Sequence, residues 1–99
     1  MLNVEKNMNG ATMEMALIGR LDSVTAPELK EILSECMLDA DKLILDFAQL
    51  EYLSSAGLRV LLEAYKKMSD RDGMVIRNVN DVIMQVFKSV GFAKILTIE

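Results

Sequence analysis

Two adjacent serines, Ser54 and Ser55, directly precede a helix-forming stretch and are the residues of this chain best placed for chemistry. Serine is favoured at a helix N-cap because its hydroxyl accepts a hydrogen bond from first-turn N–H groups that have no partner within the helix. A hydroxyl at that position also lies at the positive end of the helix dipole, which favours anions. Ala56 and Gly57 follow, so we expect a low surface that another protein can approach closely. The alternative is that the two serines only cap the helix.

The absence of histidine restricts what this turn can do. With no histidine in 99 residues, Ser-His-Asp and Cys-His catalysis are excluded, and so is the commonest zinc ligand. Ser55 therefore lacks the usual base that would activate it. We predict no enzyme, no catalytic residue, no metal site and no cofactor. An enzyme or nucleotide-binding domain that uses the serine turn is an alternative, although neither glycine-rich phosphate-binding motif is present.

Composition and charge define the class of protein. The formal net charge is −4, and no basic stripe is present to neutralise phosphates, so we expect no nucleic-acid partner. No apolar run approaches the roughly 18 to 20 residues that span a bilayer, and no export signal begins the chain, so we expect a soluble cytoplasmic protein without a membrane partner. Cys36 is the single cysteine, which agrees with a reducing compartment. We expect one domain over residues 1–99.

The helix after the serines is strongly amphipathic. Its apolar residues recur at helical spacing while charged residues take the other side, so one stripe faces a core. That stripe consists of Leu58, Leu61, Leu62, Tyr65 and Met68. The apolar run Lys42–Phe47 before it is typical of a central strand covered on both faces, with a connection through Tyr52 and Leu53 leading to the serines.

Local signals place the other elements. Asn9-Gly10 predicts a hairpin turn, because both residues tolerate positive φ. The stretch from Thr25 to Glu28 predicts a capping box, with Val24 packing on Leu29 as a hydrophobic staple. Asn80 is the predicted cap of a third helix.

The resulting order is β-β-α-β-α-β-α-β. Such alternation predicts an α/β sandwich with a mixed, mostly parallel sheet of about five strands and helices packed on it. The loops after the carboxyl ends of the strands then share one rim, where α/β sheets usually carry their sites. Asp22 and the serine turn both follow strands in the same sense, so we expect them to be close on that rim. Asp46 either binds the backbone of its following loop or lies near the serines.

Several spaced motifs together resemble the STAS domain of bacterial anti-sigma factor antagonists. The resemblance covers essentially the whole chain and is specific because the motifs occur in the family's order. They are Gly19-Arg20-Leu21-Asp22, Thr25-Ala26-Pro27-Glu28-Leu29, Leu43-Ile44-Leu45-Asp46-Phe47, and the run from Tyr52 through Ser54-Ser55-Ala56-Gly57 to Leu61.

The resemblance implies a regulatory binding protein in a partner-switching circuit. In that family an unphosphorylated antagonist binds an anti-sigma factor that is also a serine kinase, which frees a sigma factor. Phosphorylation of one serine breaks the contact, and a serine phosphatase restores it. The implied phosphoacceptor is Ser55, with Ser54 as a minor candidate. The implied partner-binding residues are Asp22, Ser54, Ser55, Ala56, Gly57, Leu58, Arg59 and Leu62.

The chain departs from the best-known switching members at two positions. Those members carry an acid before the acceptor serine and a second serine after it, whereas this chain has Ser54 and Ala56. A second hypothesis is therefore a STAS module that does not switch and is constitutively bound within a larger sensory or signalling assembly.

Overall fold

The chain folds as a mixed six-stranded sheet with three α-helices, and the computed structural model describes every residue from Met1 to Glu99. The predicted α/β class is confirmed, and a sixth strand is added to the expected five. A single 3-10 turn, Phe92–Lys94, follows the last α-helix. The remaining elements are β1 (Leu2–Asn9), β2 (Thr12–Leu21), α1 (Ala26–Cys36), β3 (Lys42–Asp46), β4 (Leu50–Leu53), α2 (Ser55–Met68), β5 (Gly73–Arg77), α3 (Asp81–Ser89) and β6 (Thr97–Ile98).

The chain opens with the antiparallel hairpin of β1 and β2, but the turn lies one residue later than predicted. Asn9 is still paired with Thr12, so the two connecting residues are Gly10 and Ala11. Of these two connecting residues, only Gly10 has a positive φ, at 66°. A turn with positive φ at its first central residue needs glycine there and tolerates alanine next, which explains why Asn9 is not required in the turn.

The stretch predicted as a plain connection before the serines is strand β4. It pairs in parallel with the end of β2, where Leu21 is opposite Leu53, while β3 pairs with the first half of β2 over Thr12–Ala16. Two short strands therefore follow one another along the same edge of β2. The rest of the sheet has the order β1-β2-β3-β5-β6, with all pairs after the hairpin parallel. The four residues of β4 are buried only at the first and last positions, so they lack the alternation that identifies a strand from sequence.

The helices cover one face of the sheet. Their buried residues form a single cluster of 25 residues together with the inward residues of the strands and a few residues of the connections. Ile44 and Val75 are also buried, at 8% exposure each, but they lie outside this cluster. Because side chains alternate along a strand, Ile44 points away from its neighbours Leu43 and Leu45, to the face without helices. The central residues of β3 are therefore buried on both faces, although helices cover only one of those faces. No helix combines the length and apolar character needed to cross a bilayer.

Candidate functional site

The serine turn lies directly beside the end of β2, as predicted from the shared direction of the strands. The backbone N–H of Ser54 donates to the carbonyl oxygen of Leu21 at 2.9 Å, which joins the start of α2 to the residue before Asp22. Asp46 instead accepts a hydrogen bond from the N–H of Ala48 at 2.9 Å, so of its two predicted roles it has the local one.

The two serines have different tasks. Ser54 is the N-cap of α2, with φ −93° and ψ 170°, and its Oγ accepts a hydrogen bond from the N–H of Gly57 at 3.2 Å. Ser55 is the first residue of the helix and is exposed, and its hydroxyl makes no hydrogen bond within the chain. The side-chain cap is therefore made by Ser54 alone, which leaves the Ser55 hydroxyl accessible to another molecule.

The first turn of α2 also has unused hydrogen-bond donors. The N–H of Gly57 is taken by the Ser54 side chain and the N–H of Leu58 by the Ser54 carbonyl oxygen. The N–H groups of Ser55 and Ala56 have no acceptor within the chain. Free N–H groups at a helix N-terminus, with the helix dipole behind them, form a favourable environment for an anion.

Asp22 organises the loop before α1 by accepting hydrogen bonds from backbone groups. Its Oδ1 accepts from the N–H of Val24 and the N–H of Thr25, each at 3.0 Å. Thr25 does not cap α1 with its side chain, because its hydroxyl donates to the carbonyl oxygen of Arg20 and accepts from the N–H of Asp22. The predicted capping box is therefore wrong. In place of the capping box, the Asp22 carboxylate closes the turn before α1 by accepting from the backbone N–H groups that follow it.

These bonds hold Asp22 in the charged form. The N–H of Thr25 has the largest effect in lowering the pKa of the Asp22 carboxyl below its usual value, and the Thr25 hydroxyl and the Val24 N–H act in the same direction. Hydrogen bonds to a carboxylate stabilise its charged form more than its neutral form. The rim therefore presents a fixed negative charge next to the serine turn at neutral pH.

The remaining predicted partner-binding residues divide by burial. Gly57 and Leu58 are buried, and a Cβ built on Gly57 would lie 2.6 Å from Cγ of Leu21. These two residues pack α2 against the sheet, and their role in partner contact stays a prediction. Arg59 is exposed and Leu62 is half-buried.

Two exposed residues on this rim were not identified as binding candidates. Val24 is 76% exposed between Asp22 and α1, so the predicted staple onto Leu29 does not form. Tyr52 is 41% exposed, and the guanidinium carbon of Arg20 lies 4.3 Å from the centre of its ring. The register of β2 and β4 places Arg20 opposite Tyr52. Exposed aromatic, apolar and arginine side chains are typical of protein interfaces. The pairing of Arg20 with Tyr52 could have been predicted from the sequence only if β4 had been recognised as a strand.

We define the rim surface as the exposed or half-exposed side chains of Asp22, Val24, Tyr52, Ser55 and Arg59. It combines one fixed carboxylate, a free hydroxyl, a cation and two apolar groups. Nothing about it resembles a metal centre, because no three His, Cys, Asp or Glu residues come together in the chain. Such a surface is suited to contact with another protein and to modification of the hydroxyl.

Comparison with known proteins relates this geometry to one family. Residues 4–97 match the family model described as Mlab, STAS domain. An anti-sigma-B factor antagonist of Listeria monocytogenes is 27% identical over 89 residues, a match covering 88% of this chain and 78% of the relative.

Solved structures share the fold at lower identity. An anti-sigma factor antagonist from Mycobacterium paratuberculosis superposes with a TM-score of 0.90 at 21% identity, covering 99% of this chain and 85% of the other. The Bacillus cell fate determinant SpoIIAA in its phosphorylated form gives a TM-score of 0.75 at 18% identity, covering 100% of this chain and 91% of the other.

Proposed function

The chain belongs to the STAS domain family, and on this basis we propose that it is an anti-sigma factor antagonist controlled by phosphorylation of Ser55. The unphosphorylated chain binds an anti-sigma factor that is also a serine kinase and so releases a sigma factor. Phosphate on Ser55 breaks the complex, and a serine phosphatase restores it. The rim surface is the contact area, and residues 1–99 act as a single STAS domain.

The observation that carries this proposal is the division of work between the two serines. Ser54 caps α2, whereas the Ser55 hydroxyl is exposed and has no hydrogen-bond partner. A kinase must reach a hydroxyl without unfolding the substrate, and Ser55 meets that condition. The name of the Listeria relative supports an antagonist role, and the phosphorylated form of the similar Bacillus protein supports the compatibility of this fold with a phosphate.

A phosphate on Ser55 would change the surface more than the fold. It adds about −1.5 to −2 charges and three acceptor oxygens, next to the free N–H groups of Ser55 and Ala56. Arg59 is one helical turn away and has no ion pair in the chain, so it is a further partner for the phosphate. The modified helix is therefore internally satisfied, and the cost falls on the complex.

Elementary electrostatics gives a sufficient penalty. One new like-charge contact at about 4 Å costs about 1 kcal/mol in water and about 4 kcal/mol at an effective dielectric constant of 20. Each 1.4 kcal/mol corresponds to a tenfold loss of affinity. If Arg59 binds an acid of the partner, its capture by the phosphate removes a further contact. A large loss of affinity therefore needs no rearrangement of the chain.

A constitutive STAS module is the second candidate. Ser54 stands where the best-known switching members carry an acid, so the recognition of this turn by a kinase differs from theirs. Such a module would use the same rim surface without modification of Ser55. The two candidates differ in a single measurable property, which is whether a kinase places phosphate on Ser55.

The experiment is to measure binding of Ser55→Asp and Ser55→Ala to a co-encoded anti-sigma kinase by calorimetry. We expect Ser55→Asp to weaken binding by about tenfold or more, because it introduces a charge into the contact area. Ser55→Ala should bind like the unmodified chain. Ser34→Asp is the matched control, since Ser34 is an exposed serine on α1 whose hydroxyl donates to the Lys30 carbonyl oxygen. Equal affinities for Ser55→Asp and Ser34→Asp would remove Ser55 from the contact.

A further inference from the structure

The face of the sheet opposite the helices forms a second surface that the proposed function does not use. We call it the open face and define it by the outward residues Glu5, Glu14, Ala16, Ile18, Ile44 and Val75. Strand register brings them together: Glu5 is opposite Ala16, Glu14 is opposite Ile44, and Ile44 is opposite Val75. Ile44 and Val75 are the only buried apolar side chains outside the main core.

A groove runs along β2 on this face. One cavity of about 300 Å³ lies over Ala16 and Ile44 and is bordered by Glu5, Glu14 and Asp46. A second cavity of about 410 Å³ lies over Ile18, beside the loop that separates β3 from β4. A smaller depression lined by both Ala16 and Ile18 joins them. From Glu14 to Gly19 the groove is roughly 17 Å long at about 3.3 Å per residue, which equals about three turns of helix.

The borders of the groove are mainly acidic. Glu5, Glu14, Asp46 and Glu51 line it, and none of them is in an ion pair. The basic side chains that line it are Lys6 and Arg77, and Arg77 is already paired with Glu99 at 3.2 Å. An apolar floor of Ala16, Ile18 and Ile44 is therefore bordered by four carboxylates outside any ion pair, against one unpaired lysine, Lys6.

We propose that the open face binds a cationic amphipathic helix of a partner polypeptide. The apolar stripe of that helix would cover Ala16, Ile18 and Ile44, and its Lys or Arg residues would reach Glu5 and Glu14. A helix in this place would complete the two-sided covering that parallel strands normally have. The unpaired carboxylates select a basic partner and oppose an anionic lipid surface. The site is separate from the rim surface and does not depend on phosphorylation of Ser55.

The probe is a synthetic peptide of about 14 residues with leucines at helical spacing and lysines between them. Its control has glutamate in place of each lysine. We expect the lysine peptide to bind and become helical by circular dichroism, with amide shifts in the nuclear magnetic resonance spectrum centred on Ala16, Ile18 and Ile44. The glutamate peptide should not bind.

Charge reversal on the chain gives the matched test. The double variant Glu5→Lys with Glu14→Lys should weaken binding of the lysine peptide by about tenfold or more, since two attractions become repulsions. The control is Glu31→Lys with Glu35→Lys, which makes the same change at exposed positions of α1. Ser55→Asp should leave peptide binding unchanged, so failure here is distinguishable from failure of the proposed switch.

Three outcomes would overturn the inference. The first is equal loss of affinity in the two double variants, which would indicate attraction to overall charge. The second is absence of binding by the unmodified chain, or amide shifts confined to the helical side. The third is a dimer in sedimentation that buries the open face and dissociates on Glu5→Lys with Glu14→Lys, because the occupant would then be a second copy of the chain.

Discussion

At the scale of single residues, Ser54 and Ser55 show how neighbouring identical side chains acquire different roles. The backbone of Ser54 is extended, with ψ 170°, so its hydroxyl turns back onto the N–H of Gly57. Ser55 already has a place in the helix and its side chain points to solvent. The difference arises from backbone conformation alone. It fixes which serine stabilises the fold and which is free for modification.

This division predicts opposite sensitivities to alanine. Ser54→Ala removes the cap and should lower the free energy of unfolding by about 1 kcal/mol. Ser55→Ala breaks no hydrogen bond and should change it by less than about 0.5 kcal/mol. Urea denaturation followed by circular dichroism measures both. Equal losses in the two variants would contradict the assignment of the cap.

Asp22 should contribute to the pH dependence of stability. Its pKa is lowered in the folded chain by the Thr25 N–H, so at acid pH the unfolded chain binds the proton more readily. The contribution is fully present above the ordinary aspartate pKa of about 3.9 and is lost as the pH falls through the lower folded value.

Asp22→Asn keeps a side-chain oxygen for the loop but removes the charge. We expect the variant to lose less stability than the unmodified chain between pH 5 and pH 2 (about the range over which a carboxylate titrates), as measured by urea midpoints. Asp70→Asn, at an exposed turn without a side-chain hydrogen bond, should keep the original curve. Identical slopes for Asp22→Asn and the unmodified chain would argue against a role for this carboxylate.

At the scale of elements, α2 is held close to the sheet by the absence of a side chain at Gly57. An added Cβ would lie 2.6 Å from Cγ of Leu21 and 3.0 Å from Cδ1 of Leu53. These two leucines are the last residues of β2 and β4, whose pairing also positions the serine turn. The glycine therefore sets the height of Ser55 above the rim.

Gly57→Ala should destabilise the chain although alanine favours helices. The gain in helix propensity is about 1 kcal/mol, while overpacking a filled site typically costs about 1 to 3 kcal/mol. We expect a net loss, measured as a lower urea midpoint, with Ser55→Ala as the neighbouring control. A stabilised Gly57→Ala variant would show that Leu21 moves aside at little cost.

Periodicity predicted most of the elements but not their details. The stripe of α2 and the cap of α3 follow from local rules, and Asn80 does accept a hydrogen bond from the N–H of Ile83 at 2.8 Å. The capping box failed because the Thr25 hydroxyl already donates to the Arg20 carbonyl oxygen and accepts from the N–H of Asp22. Strand β4 was missed because its pairing with β2 depends on contacts distant in sequence. Apolar character alone does not indicate burial here, because Val82 in the first turn of α3 and Val90 just after its end are both exposed.

At the scale of the whole molecule, the sheet separates two surfaces. The rim surface lies at the carboxyl ends of the strands, while the open face carries the groove along β2. The closeness of Asp22 and the serine turn could be predicted from topology alone, because both follow parallel strands. The open face could not be predicted from the sequence, because the apolar run in β3 is typical of a strand covered on both sides. Only the positions of the helices show which face is bare.

The central claim is that Ser55 is the residue a kinase modifies. The direct measurement is to incubate the chain with a co-encoded anti-sigma kinase and ATP and to locate the phosphate by tandem mass spectrometry. We predict one phosphate on Ser55 and none on the Ser55→Ala variant, which folds with an intact cap. Phosphate on another residue, or equal incorporation into Ser55→Ala, would contradict the account. No incorporation at all would favour the constitutive module.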